Sequence, residues 1–174
     1  YVESNFIDYI KREKLNLENM IIISPDEGGM KRAVRISNKL GVGSGTIYKE
    51  RSSPNLINKM SLMGDIKDKF CIIVDDMIDT AETACKASNL LKEHGAIGIY
   101  MFACHGIFSG KAFENISNSS FDRMIVTNTL DQTRHIDKIK ELKLENKIDV
   151  IDVSWMCAEA IRCCHNGESL KLLY

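Results

Sequence analysis

Long apolar runs, an excess of charge of one sign and CxxC cysteine pairs are all missing from this 174-residue sequence. No apolar stretch approaches the roughly 20 residues of a membrane span, so no membrane partner is expected. Lys and Arg number 23 against 24 Asp and Glu, a net charge of −1. That balance excludes a bulk electrostatic grip on nucleic acid and leaves room for one small anion held locally. Six cysteines occur (Cys71, Cys85, Cys104, Cys157, Cys163 and Cys164), none in a CxxC pair. A structural zinc site is therefore not expected; buried, reduced thiols in a cytoplasmic protein are. Repeats and low-complexity segments are absent too. The start, YVESNFIDYIKREK, is amphipathic and charged and is no signal peptide. It opens on Tyr1, not Met, so a longer parent chain is expected.

What is present is the material for a core, with 44% hydrophobic residues, arranged as alternating helix and strand patterns. NFIDYIKRE reads as an amphipathic helix and MIIIS as a strand covered on both faces. GGMKRAVRISNKLG reads as a helix closed by Gly41, GTIYK as a strand, and FCIIV as a second buried strand. TAETACKASNLLKEHG is a helix stopped at Gly95, IGIYMFAC a strand, GKAFENIS a short helix and RMIVTNT a strand. IDVIDVS is the last clear strand, WMCAEAIRCCHNG a helix capped by Gly167, and SLKLLY a short extended end. The polar stretch from Glu50 to Lys69, with Pro54 and Gly64, carries little regular pattern. Strands separated by helices imply a mostly parallel sheet in one α/β domain. Ligands of such sheets bind beyond the carboxyl ends of the strands.

Three loops in those positions carry the chemistry. In SPDEGG, Pro25 fixes φ, and Gly28 and Gly29 allow positive φ and close backbone approach. The helix start that follows points amides at an anion, and Asp26 could join a magnesium shell or take a sugar hydroxyl; a plain turn with an Asp cap is the alternative. In CIIVDDMIDTAETAC, capping needs one carboxylate, yet Asp75, Asp76 and Asp79 crowd into five residues and repel unless a cation or hydroxyls sit among them. Thr80 and Thr83 are expected to start the next helix, where hydroxyls and amides can hold a phosphate; a solvated acidic turn is the alternative. In YKERSSPN, Lys49 and Arg51, with Lys59 beyond, supply cations to a long segment of the kind that serves as a lid; a solvated linker is the alternative.

These loops, in this order, resemble the ribose-phosphate pyrophosphokinases, which make phosphoribosyl pyrophosphate (PRPP). SPDEGGMKR resembles their pyrophosphate loop, YKERSSPN their catalytic loop and VDDMIDTAETA their ribose-5-phosphate loop. HGIFSGKA, VTNT, VIDVSWMCAEAIR and HNGES match further family segments, so the likeness runs from about Met20 to the end. It implies a type I phosphoribosyltransferase-like fold, a mostly parallel sheet flanked by helices on both faces. It also implies that 1–174 is the C-terminal domain of a two-domain synthetase, with 168–174 as a tail joining the missing first domain. The implied reaction is Mg²⁺-dependent transfer of a diphosphoryl group from ATP to ribose 5-phosphate, giving PRPP and AMP, with the isolated fragment inactive. By the same resemblance Lys49 and Arg51 are catalytic and Asp26 binds metal with Gly28 and Gly29 in the pyrophosphate loop. Asp75, Asp76, Asp79, Thr80, Ala81 and Thr83 hold ribose 5-phosphate, and Ser169 lies near a regulatory site. A homo-oligomer, a hexamer in the family, follows too.

The match departs at Glu27, where the family prefers a small residue, and at Glu82, where it has Gly inside the phosphate cradle. Ser52 and Ser53 stand where basic residues are frequent. A carboxylate about 6 Å from a phosphate repels it by roughly 3 kcal/mol per unit charge at an effective dielectric near 20, unless it swings into solvent. These departures keep open a non-catalytic subunit that regulates a true synthetase, and behind it a transferase that consumes PRPP.

Overall fold

The computed structural model describes residues 2–50 and 59–173. Six helices and seven strands alternate along them. The strands are β1 (Met20–Ser24), β2 (Gly43–Glu50), β3 (Lys59–Met63), β4 (Phe70–Ile78), β5 (Gly98–Gly106), β6 (Arg123–Thr127) and β7 (Ile148–Ile151). They form one sheet in the order β3-β2-β1-β4-β5-β6-β7. All pairings are parallel except that of β2 with β3, which are antiparallel. The helices are α1 (Glu3–Arg12), α2 (Met30–Leu40), α3 (Glu82–Glu93), α4 (Ala112–Ser117), α5 (Ile136–Glu141) and α6 (Ser154–Asn166).

Alternation along the strands divides the apolar residues between two cores. Ile21, Ile23, Cys71, Ile73, Ile99, Met101 and Val126 pack with Ala87, Leu91, Phe113 and Ile116 from α3 and α4. Ile22, Ile72, Val74, Phe102 and Ile125 pack with Phe6, Ile10, Ala33 and Ile36 from α1 and α2. Both faces of the central strands are therefore covered, which is why β1 is buried at all five positions and reads as an unbroken apolar run. The expected α/β layering, with helices on both faces, is the observed one. α2 ends at Gly41, whose φ of 70° is the left-handed cap that glycine adopts without a Cβ penalty.

Three expectations need correction. The stretch before β4 holds a regular strand: β3 folds back on β2, pairing Lys49 with Met60 and Glu50 with Lys59. Only Met60 and Leu62 of this five-residue edge strand pack on the core, too few positions within a polar stretch to show a period. The last residues, Leu170–Leu173, form a 3₁₀ turn and not an extended tail. The thiols are free but not uniformly buried, since Cys157 and Cys164 are exposed on α6. α5 had no sequence signal: it is six residues long with no fully buried position.

Candidate functional site

The strand order reverses between β1 and β4, whose connections leave toward opposite edges of the sheet. Such a switch point opens a crevice at the carboxyl ends of the two strands. A cleft of about 380 Å³ lies there, lined among others by Gly28, Lys31, Arg32, Asp75, Asp76 and His105. The loop after β1 and the last residues of β4 thus meet at this cleft.

The loop after β1 is built from its own residues. Asp26 Oδ1 accepts the Gly29 amide (2.9 Å), while its carbonyl accepts the hydroxyls of Ser24 (2.6 Å) and Thr46 (3.2 Å). Of the two uses the sequence suggested for Gly28 and Gly29, positive φ is not the one, because neither takes it. The constraint is close approach: a Cβ on Gly29 would sit 2.5 Å from the Ser24 hydroxyl. Asp26 and Glu27 are both exposed.

β4 does not stop at Val74 but runs through both aspartates to Ile78. Asp75 lies beside Ala103, and Met77 beside His105, in the register with β5. The vicinal carboxylates meet one guanidinium: Arg32 Nη1 is 3.3 Å from Asp75 Oδ1 and Arg32 Nη2 is 3.7 Å from Asp76 Oδ2. Burial pushes the Asp75 carboxyl up to about 6, and the Asp76 charge adds to this against the pull of Arg32. Burial acts on Asp76 in the same sense, but the hydrogen bond from Asp75, the charge of Arg32 and the Met77 amide outweigh it, so Asp76 falls below the usual range. The pair thus holds one readily ionised and one reluctant carboxylate.

Beyond them the chain turns sharply. Ala81 takes a φ of 61° and precedes α3. Thr80 therefore lies before the helix, and Thr83 in its first turn. The backbone demand that a glycine would meet thus falls on Ala81 and not on Glu82, which is a regular, exposed helical residue. An acid in a first turn also complements the helix dipole. The segment after β5 braces this turn. The amides of Ile107 and Phe108 donate to the Ile78 carbonyl (2.9 and 3.2 Å). The Ser109 hydroxyl donates to Asp79, and Asn115 Nδ2 donates to the Thr80 carbonyl (2.9 Å). The first amides of α3 have no partner within the helix, the geometry that receives an anion.

Of the residues singled out from sequence, Gly28, Asp75 and Asp76 line the cleft, with Asp26 and Gly29 in the same loop. Asp79 to Thr83 form the adjoining turn. Lys49 is in β2 next to the hairpin, whereas Arg51, Ser52 and Ser53 lie outside the described residues. Ser169 follows α6 and is not among the residues lining the cleft. Arg32 and Asn115 were passed over, although GGMKR and GKAFENIS both carried them in plain view.

Hard oxygen donors suit Mg²⁺, which takes one or two carboxylates and completes its shell with water and phosphate oxygens. Asp75 and Asp76 supply such donors side by side, and Asp26 keeps one oxygen free of the Gly29 amide. No group of three or more His, Cys, Asp or Glu side chains that could hold a metal gathers among the described residues.

A family model, the phosphoribosyl synthetase-associated domain, matches residues 47–174. Ribose-phosphate pyrophosphokinase 3 of Saccharomyces cerevisiae is 44% identical over all of this chain and 52% of its own length. The crystal structure of phosphoribosylpyrophosphate synthetase from Mycobacterium smegmatis superposes with a TM-score of 0.82 at 31% identity, over 95% of this chain and 51% of that one. Adenine phosphoribosyltransferase from Saccharomyces cerevisiae shares the fold alone, with a TM-score of 0.54 and 19% identity over 66% of this chain and 71% of its own. The chain spans about half the length of the curated relatives it matches. It belongs to the ribose-phosphate pyrophosphokinase family, whose synthetase-associated domain makes up most of its length.

Proposed function

We propose that this chain is the C-terminal half of a ribose-phosphate diphosphokinase and carries its ribose 5-phosphate site. The observation that supports this best is the pair Asp75–Asp76 in a switch-point cleft, followed at once by a braced turn and the start of α3. Carboxylates accept from the 2- and 3-hydroxyls of a ribose, and the turn from Asp79 to Thr83 takes the 5-phosphate. With both ends held, the 1-hydroxyl is aimed at the β-phosphorus of ATP. The oxygen–phosphorus bond to that group forms as the bond to the AMP leaving group breaks. Bound Mg²⁺ would screen the polyphosphate charge. Lys49, in β2, and Arg51, two residues further along the sequence, neutralise charge on the transferring group, and positioning with charge neutralisation is most of what phosphoryl-type transfer requires. The rest of the ATP site belongs to the half outside this chain, so the chain alone binds sugar phosphate without turnover. The longer protein acts as a homo-oligomer.

Calorimetric titration with ribose 5-phosphate tests the site. Asp76→Asn should weaken binding by at least tenfold, the scale of a lost charge-assisted hydrogen bond, and equal affinity would remove the assignment. For the longer protein, AMP should appear from ATP and ribose 5-phosphate with Mg²⁺.

One observation favours a second reading, a non-catalytic subunit of a true synthetase. Glu27 and Glu82 place two exposed carboxylates at the two ligand loops, where they oppose anionic substrates. That reading requires stable co-purification with a second synthetase and no AMP release by the longer protein alone.

A further inference from the structure

Two arginines of α2 face the cleft, and they are held very differently. Arg35 grips Glu3 through Nε (3.1 and 3.3 Å) and Nη2 (2.5 Å), and the Glu3 side chain is only 8% exposed. That is a forked, locked pair. Arg32 instead reaches two different carboxylates with one nitrogen each, at 3.3 and 3.7 Å. Only the first is a hydrogen bond, so Arg32 is a loose counter-ion.

The position of Arg32 along the helix is also unusual. It and Lys31 lie in the first turn of α2, which contains no acid. Cations there oppose the helix dipole, which favours an anion at that end. Here the cost is offset by Asp75 and Asp76. Those are the groups that, on the function proposed above, sugar hydroxyls and Mg²⁺ must engage. Arg32 cannot keep both carboxylates once they do.

We infer that Arg32 is an exchangeable counter-ion. Here it stands in for the ligand cation on Asp75 and Asp76. When the sugar and metal take the carboxylates, it is released to the anionic diphosphoryl group at the start of α2. Arg32 thus competes with cation binding and assists anion binding, and it couples the two halves of the site. It is a positioning residue for the carboxylates before it is a ligand of the anion. This rests on the ribose 5-phosphate reading of the cleft.

Opposite shifts for ligands of opposite charge are the signature, since a merely structural role would move both the same way. Mn²⁺ binding is followed by electron paramagnetic resonance and inorganic diphosphate binding by calorimetry. Each is measured alone on wild type, Arg32→Met and Arg32→Lys, with melting curves to confirm folding. Arg32→Met should bind Mn²⁺ about tenfold more tightly and diphosphate about tenfold more weakly, the scale of one nearby charge at a half-exposed site. Arg32→Lys should fall between. If wild type binds Mn²⁺ and ribose 5-phosphate and Arg32→Met changes neither Mn²⁺ nor diphosphate affinity, or lowers both, the exchange is wrong and the site assignment stands. Wild type that binds neither Mn²⁺ nor ribose 5-phosphate overturns the assignment and the exchange together. If Arg32→Met does not fold, Arg32→Lys decides by the same pair of shifts.

Discussion

The loop after β1 and the β4 loop, here the last residues of β4 with the turn that follows them, meet at one cleft but are made in opposite ways. The β1 loop is local: from Ser24 to Gly29 its hydroxyl, carboxylate and amide satisfy one another, the α2 amides that follow donate to it, and Thr46 reaches in from β2. The β4 loop depends on distant partners. Arg32 lies 43 residues away from Asp75, Ser109 30 residues from Asp79, and Asn115 35 residues from Thr80. The β4 loop also carries the left-handed Ala81 and the crowded carboxylates. A self-contained turn is a stable floor for a ligand. A turn held from outside can store repulsion that a ligand relieves, and that is the more useful property where charge must be gathered.

The contrast can be broken most forcefully at the tight point of the local loop. Gly29→Val would drive a Cβ into the buried Ser24 hydroxyl, 2.5 Å away. A loss of about 2–3 kcal/mol by urea denaturation is expected, and an unchanged midpoint would show that the loop yields.

Asp75→Asn tests the stored repulsion. The Asp75 carboxyl titrates at about 6 in the folded chain against 3.8 ordinarily, so the proton is held more tightly when folded. Stability attributable to this group is full below about pH 4, declines as pH rises from there to about 6, and is flat above. Removing the charge should therefore raise stability above pH 6, by on the order of 2 kcal/mol. The difference in melting temperature should shrink toward pH 4, and a pH-independent difference would remove Asp75 as the cause.

Asn115→Ala sharpens the comparison. It removes a single bond to the Thr80 carbonyl, worth about 1 kcal/mol. Amide exchange should quicken in residues 79–82 and stay unchanged in 24–29; equal quickening in both would deny the difference in construction. The smallest effect belongs to Glu82→Gly. Because Glu82 is exposed and screened by salt, ribose 5-phosphate affinity should change by less than about fivefold in calorimetry. A hundredfold gain would mean that the carboxylate turns onto the phosphate.

Much of this arrangement was legible beforehand. Runs such as MIIIS and FCIIV announce strands buried on both faces, and the helices between them compel a parallel sheet. The residues read as ligand loops fall after β1 and at the end of β4, where Gly28, Asp75 and Asp76 line one cleft. β3 was missed because its two core-packing positions are too few to show a period, and α5 because a one-and-a-half-turn helix has too few positions to show one. For Glu82 the sequence left two orientations open, toward the phosphate or into solvent, and the structure shows it exposed. Sequence places a residue in a turn only to within a position or two, and here the left-handed φ belongs to Ala81.

By itself, then, the sequence determined the layered fold, the order of the loops and the presence of Asp75, Asp76 and Asp79 at the end of a strand. Those are consequences of periodicity and of residue type, which are local. Only the tertiary structure decided that Arg32 divides itself between two carboxylates, that the segment after β5 braces the turn, and that Glu82 stands in solvent. Each depends on which distant groups come within a few ångströms, and packing alone sets that.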